Sequence, residues 1–153
     1  MGENFAFLLP MVLMLFGVAF LLVGRFGNRA ALCWGAGYIC AALGFLAPFL
    51  QAVAPVSVVA MTADAAFLSA FLFYGQGLVM HFDAPRLLAV RLSLAAVAYA
   101  GIAYAVLVAG SLRHELLIGD IACSLLLLVA TVSSWRRSGN RIERALFGAA
   151  IFV

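Results

Sequence analysis

The sequence predicts an all-α protein: a polytopic transmembrane helix bundle of five complete spans and the start of a sixth, with the N-terminus outside. Three observations predict it. Of the 153 residues, 67% are hydrophobic and 10% charged, with a mean hydropathy of +1.19, whereas a soluble domain is about 45–50% apolar and about 25% charged. Stretches that are uncharged or nearly so, each about 20 residues long and matched to a hydrocarbon core about 30 Å thick, recur five times. Eight of the nine arginines fall in every second connection between them: Arg25, Arg29, Arg86, Arg91, Arg136, Arg137, Arg141 and Arg144 occupy the segments near 24–30, 81–91 and 136–144. The segments near 51–56 and 110–115 hold only Arg113. Positive charge marks the cytoplasmic side of a bilayer, so the arginine-rich connections are placed inside.

The first span is expected over about 5–23. Glu3 stands where a signal peptide would carry basic residues, and the apolar run is longer than a signal core. Pro10 lies near its outer end, where a missing N–H is tolerable. Residues 24–29 make a short inner turn. The second span, about 30–50, presents Ala31, Gly35, Gly37, Ala41 and Gly44, small residues that let helix backbones approach closely. Gln51 to Pro55 is an outer turn. The third span, about 56–80, contains Asp64 and ends in Gly75-Gln76-Gly77. The fourth, about 87–109, carries Arg91 one turn inside, from where its side chain is expected to snorkel to the interface. Ser111 caps the fifth, about 112–135, which places Asp120 within the membrane and closes on Trp135-Arg136-Arg137, an interfacial aromatic with basic anchors. Residues 145–153 begin a further apolar helix too short to span, which reads as the cut end of a longer protein. The whole forms one membrane-embedded domain, residues 1–153.

Composition also excludes functions. A pI of about 9.1 would suit nucleic acid, but the arginines are dispersed over membrane-facing ends, so orientation and lipid headgroup contact explain them better. There is no lysine, hence no Schiff-base chromophore, and no Walker A loop, dinucleotide glycine motif, H-E-x-x-H or G-x-S-x-G. Cys33, Cys40 and Cys123 form no C-x-x-C pair and read as small packing residues. His81 and His114 lie on opposite sides of the membrane under this topology, which excludes a shared metal or haem. No cofactor, metal or catalytic residue is assigned.

Asp64 and Asp120 are the informative residues, because a carboxylate at membrane depth costs about 2.5–3.5 kcal/mol on insertion scales. At about 1.5 Å per residue each lies roughly 12–13 Å below the outer surface. Two readings stay open. Each carboxylate bonds a hydroxyl or amide of a neighbouring helix and sets packing register, or both line an outward-opening cavity beneath Arg113, His114 and Glu115 and bind an ion, proton or polar ligand. Gln76 joins them as a candidate intramembrane polar residue. His81, Asp83 and Arg86 form a second candidate group at the inner end of the third span.

The order of these features resembles the multi-helix membrane sensor region at the N-terminus of many bacterial GGDEF diguanylate cyclases. The likeness rests on the first helix ending in Arg25 and Arg29, Trp34-Gly35-Ala36-Gly37-Tyr38 opening the second, Gly75 and Gly77 closing the third, the Pro85-Arg86 inner loop and Trp135-Arg136-Arg137. It implies about seven helices in a bacterial inner membrane, a cytoplasmic cyclase following the last, and a chain that breaks off within its sixth. The GG[DE]EF signature is absent, so the expected role is a signal-input module regulating cyclic di-GMP synthesis by a domain beyond residue 153. The expected partners are the lipid bilayer, that output domain in the same full-length chain and, as an option, a second copy in a homodimer, with no nucleic acid. The alternative is a small transporter or channel subunit with a polar path at Asp64 and Asp120.

Overall fold

The computed structural model describes residues 7–135 and Arg137. Within them are five α-helices and no strand: α1 Leu8–Arg25, α2 Arg29–Leu46, α3 Val56–His81, α4 Leu88–Leu107 and α5 Leu112–Trp135, with a 3₁₀ helix, Ala47–Ala52, between α2 and α3. Each is long and apolar enough to cross a membrane, α2 being counted with its 3₁₀ extension; the chain is a multi-pass membrane protein. The expected sixth helix, 145–153, lies outside the described residues, as do Arg136, Arg141 and Arg144.

Local chemistry sets the helix ends. Gly27 turns the chain with φ +100°, and the Asn28 side chain accepts the N–H of Ala31 at 3.1 Å, capping α2. The second span was expected to run unbroken to about residue 50. Instead its α-helical geometry stops at Leu46, because Pro48 has no N–H to donate and its ring crowds the preceding turn; the backbone tightens into 3₁₀ geometry there. Three hydroxyls inside the spans are satisfied on their own helix, Thr62 on the Val58 carbonyl, Ser69 on Ala65 and Ser133 on Val129, each at 2.7 Å, whereas the Ser134 Oγ is buried without a partner. The carboxylates, Gln76 and Arg91 are the charged and amide groups of the spans that call for partners from other elements.

The helices alternate in direction, and α3 is the hub. It packs against α2, α4 and α5, while α1 packs only on α2 among the described elements. Pairings of Gly44 with Phe67, Gly37 with Tyr74 and Gly77 with Trp34 run antiparallel along α2 and α3. Gly119 near Asp64 and Ala130 near Gly75 show that α3 and α5 are parallel. The turns at 26–28 and 82–87 therefore share one end of the bundle with Arg137, here termed the basic end, and the turns at 47–55 and 108–111 share the other. An aromatic ladder joins the first three helices: Phe20 stacks on Tyr38 with centroids 5.5 Å apart, and Tyr38 meets Tyr74 edge-on at 5.2 Å.

Close backbone approach at glycine holds α2 on α3. A Cβ on Gly37 would sit 2.6 Å from the Tyr74 ring and 3.1 Å from the Ala70 carbonyl oxygen. Without a hydrophobic effect to drive helices together in lipid, this packing is a principal source of association. Gly37→Leu is therefore expected to lower the thermal unfolding temperature in detergent well below that of Leu50→Ala, whose side chain is exposed; the reverse order would refute the account.

Candidate functional site

At the end opposite the basic turns, α3 and α5 leave a recess of about 550 Å³ between them and the 3₁₀ helix. Its walls are mainly apolar, with Phe67, Leu68 and Leu116 among them, and three carboxylates reach it: Asp64 from α3, Glu115 and Asp120 from α5. Asp64 is 9% and Glu115 5% exposed, whereas Asp120 is exposed. The Asp64 and Glu115 side chains meet across the helix interface. Gly119, one helical turn beyond Glu115, makes room for this: a Cβ there would lie 3.4 Å from Asp64 Oδ1. Asp64 Oδ2 is buried and accepts no hydrogen bond.

Charge compensation is missing at this site. No arginine or histidine lines the recess, and none of the three carboxylates makes an ion pair among the described residues. Arg113 and His114 are both exposed; the His114 ring instead hydrogen-bonds the Ser111 hydroxyl, Nδ1 to Oγ, at 2.7 Å. Among the described residues no three His, Cys, Asp or Glu side chains converge closely enough to hold a metal ion.

Gln76 lies elsewhere. Three turns further along α3 from Asp64, it accepts a hydrogen bond from Arg91 Nη1 at 3.2 Å, and Arg91 Nη2 donates to the Leu72 carbonyl. The expectation that Arg91 snorkels to the interface is corrected: its side chain is 1% exposed and turns inward among α3, α4 and α5. The cause is a vacancy that sequence depth does not reveal. Gly75 presents no side chain, so the guanidinium occupies the space where its Cβ would be, 2.5 Å from Nη2. Between the carboxylates and this pair lies a buried apolar cluster that includes Leu68, Ala98, Ile102 and Leu126.

His81, Asp83 and Arg86 come together at the basic end, where they line a separate recess of about 480 Å³ with Asn28 and Arg29. The His81 ring packs 5.6 Å from Trp34 and 4.8 Å from Phe82. Asp83 adopts φ +48°, a left-handed turn conformation that Asp tolerates better than most residues. The three cysteines are free and half-buried; Cys33 Sγ lies 3.7 Å from Met80 Sδ, a soft packing contact.

The structure thus brings Asp64 and Asp120 to one recess and places Gln76 in a different polar pair. Two participants were not singled out from sequence. Glu115 was placed above the cavity, yet it is buried beside Asp64; Arg91 was assigned to the interface, yet it anchors the bundle. Helical spacing carried a signal for the first, since Glu115 and Gly119 are four apart and share a face. Comparison with protein-family models, curated proteins and solved structures finds no match to this chain.

Proposed function

We propose that the chain is a membrane-embedded signal-input module of a bacterial inner membrane, with its N-terminus outside, its basic end in the cytoplasm and its recess opening outward. It resembles the sensor region of a diguanylate cyclase and regulates cyclic di-GMP synthesis by a cytoplasmic GGDEF domain beyond residue 153. The family part of this reading rests on the sequence pattern alone. The observation that carries the functional part is the form of the recess: an apolar-walled chamber between α3 and α5 that holds three carboxylates and is blind.

A transport path needs polar groups or water to continue across the bilayer. Here the Leu68, Ile102 and Leu126 cluster stands between the carboxylates and the next polar pair, Gln76 and Arg91. A blind chamber suits occupancy over passage. Occupancy has a route onward, because α5 is 24 residues long, about 36 Å, and carries any displacement at Glu115 to Trp135 at the basic end. The same parallel pair of helices meets where Gly75 faces Ala130, and Gly75 also borders Arg91, so in this reading a change in α3–α5 spacing reaches a hydrogen-bonded group at the other end.

Cellular cyclic di-GMP, measured with the gene's own continuation past Val153 in place, is expected to change when Asp64 is replaced by Asn. If cyclic di-GMP is unchanged while proteoliposomes of the chain pass solute in an Asp64-dependent way, the transporter reading replaces this one. Orientation has its own test. Single cysteines replacing Arg29 and Arg86 are expected to resist a membrane-impermeant thiol reagent in intact cells and to react after lysis; labelling of either in intact cells would reject the assignment of the basic end to the cytoplasm.

A further inference from the structure

We infer that the recess between α3 and α5 binds an organic cation, a ligand with a primary ammonium group on an apolar body; this rests on the reading of the recess as an input site and names the class of its ligand. Three observations point the same way. Asp64, a residue of the chamber wall, is more than nine-tenths buried, and its buried Oδ2 has no hydrogen-bond partner. A buried carboxylate oxygen without a partner is unfavourable, and a cationic donor arriving in the chamber supplies what is missing. Glu115 meets Asp64 and Asp120 stands at the more open side, so the chamber carries three potential negative charges and no basic lining residue.

Size and wall chemistry then choose among cations. The volume, about 550 Å³, falls within the range of about 300–1,000 Å³ typical of pockets for small organic ligands and far exceeds the roughly 30 Å³ share of one water. A bare metal ion would need ligands converging at about 2–2.6 Å, and the carboxylates are not gathered into such a group. Phe45, Phe67 and Leu116 cover the rest of the wall. Aromatic faces attract ammonium groups, and the apolar surface rewards a hydrocarbon body. The carboxylates select the charge; the walls select the skeleton.

The test uses the chain in lipid nanodiscs and radiolabelled benzylammonium as probe, with empty nanodiscs subtracted. Saturable binding is expected. It should be weakened at least about tenfold, the equivalent of ~1.4 kcal/mol, both by Asp64→Asn, which removes the charge, and by Gly119→Leu, which fills the chamber and leaves every carboxylate in place. Folding of both variants is checked by thermal unfolding. Excess sodium chloride at constant ionic strength should displace the probe weakly, and ethylbenzene, its uncharged carbon isostere, should not displace it. Binding that survives both substitutions, or equal displacement by the neutral isostere, overturns the proposal; full displacement by sodium at probe-like concentrations replaces the organic ligand with a simple ion site. Binding is read without any output domain. Loss of binding in Asp64→Asn with unchanged cyclic di-GMP would therefore leave this inference standing and defeat the signalling role.

Discussion

Gly75→Ala is expected to destabilise the bundle by about 2–4 kcal/mol, while the same substitution at Gly101 leaves it unchanged or strengthens it. Both glycines lie within helices, so the propensity gain on adding a methyl, up to about 1 kcal/mol, is common to the two. Surroundings decide the sign. At Gly101 the new Cβ would meet only Ile118 side-chain atoms, at 3.7 Å, ordinary contact. At Gly75 it would fall 2.5 Å from Arg91 Nη2 and 2.9 Å from the Ala130 Cβ. Overpacking costs about 1–3 kcal/mol, and a guanidinium pushed off the Leu72 carbonyl forfeits a charge-assisted hydrogen bond of about 1.5–3 kcal/mol. These losses exceed the propensity gain. Gln76→Leu removes the other acceptor of the same buried cation and should destabilise comparably. The double variant should lose less than the sum, since both act on one group. Thermal unfolding in detergent for the four variants gives the answer; equal behaviour of Gly75→Ala and Gly101→Ala would show that Arg91 is not held as described.

These two glycines also mark how far the sequence could be read. Helix existence was legible because membrane spans announce themselves by the absence of charge, and Val56–His81 and Leu112–Trp135 begin and end within a residue of their expected bounds. Depth along a helix was legible for the same reason: Asp64 and Asp120, counted down from the same end, do reach one recess. Azimuth was not. A uniformly apolar helix has no polar face to orient it, so Arg91 snorkelling outward and Arg91 turned inward have the same sequence. Gly75 was read only as part of the segment that closes the third span; its placement opposite α4 and α5 makes it the berth of a guanidinium. Glu115 was misplaced for a related reason, because parallel packing of α3 and α5 brings the first turn of one against the third turn of the other.

Asp64→Leu is expected to stabilise the protein by about 3 kcal/mol, and Asp64→Asn by a smaller amount in the same direction. On insertion scales Asp near a helix centre costs about 2.5–3.5 kcal/mol and Leu gains about 0.3–0.6 kcal/mol. That difference is normally offset in a folded protein by the bonds the carboxylate makes, so its removal leaves partners stranded. Here the offset is small: Oδ2 accepts nothing, the one facing polar side chain is another carboxyl, Glu115, and no cation lines the recess. Replacing Asp64 thus ends the crowding of two acidic side chains, and the only contact forfeited is the one with Glu115. The asparagine keeps the shape of the side chain and relieves only the charge; leucine also adds apolar contact with Phe67 and Leu68, one turn along the same helix. If Asp64 merely set packing register through a bond to a neighbouring helix, both variants would unfold at lower temperature than the parent. A rise in unfolding temperature alongside loss of cation binding would mark the carboxylate as retained at the expense of stability, the pattern of a residue kept for function, and a fall in both would return it to a structural role.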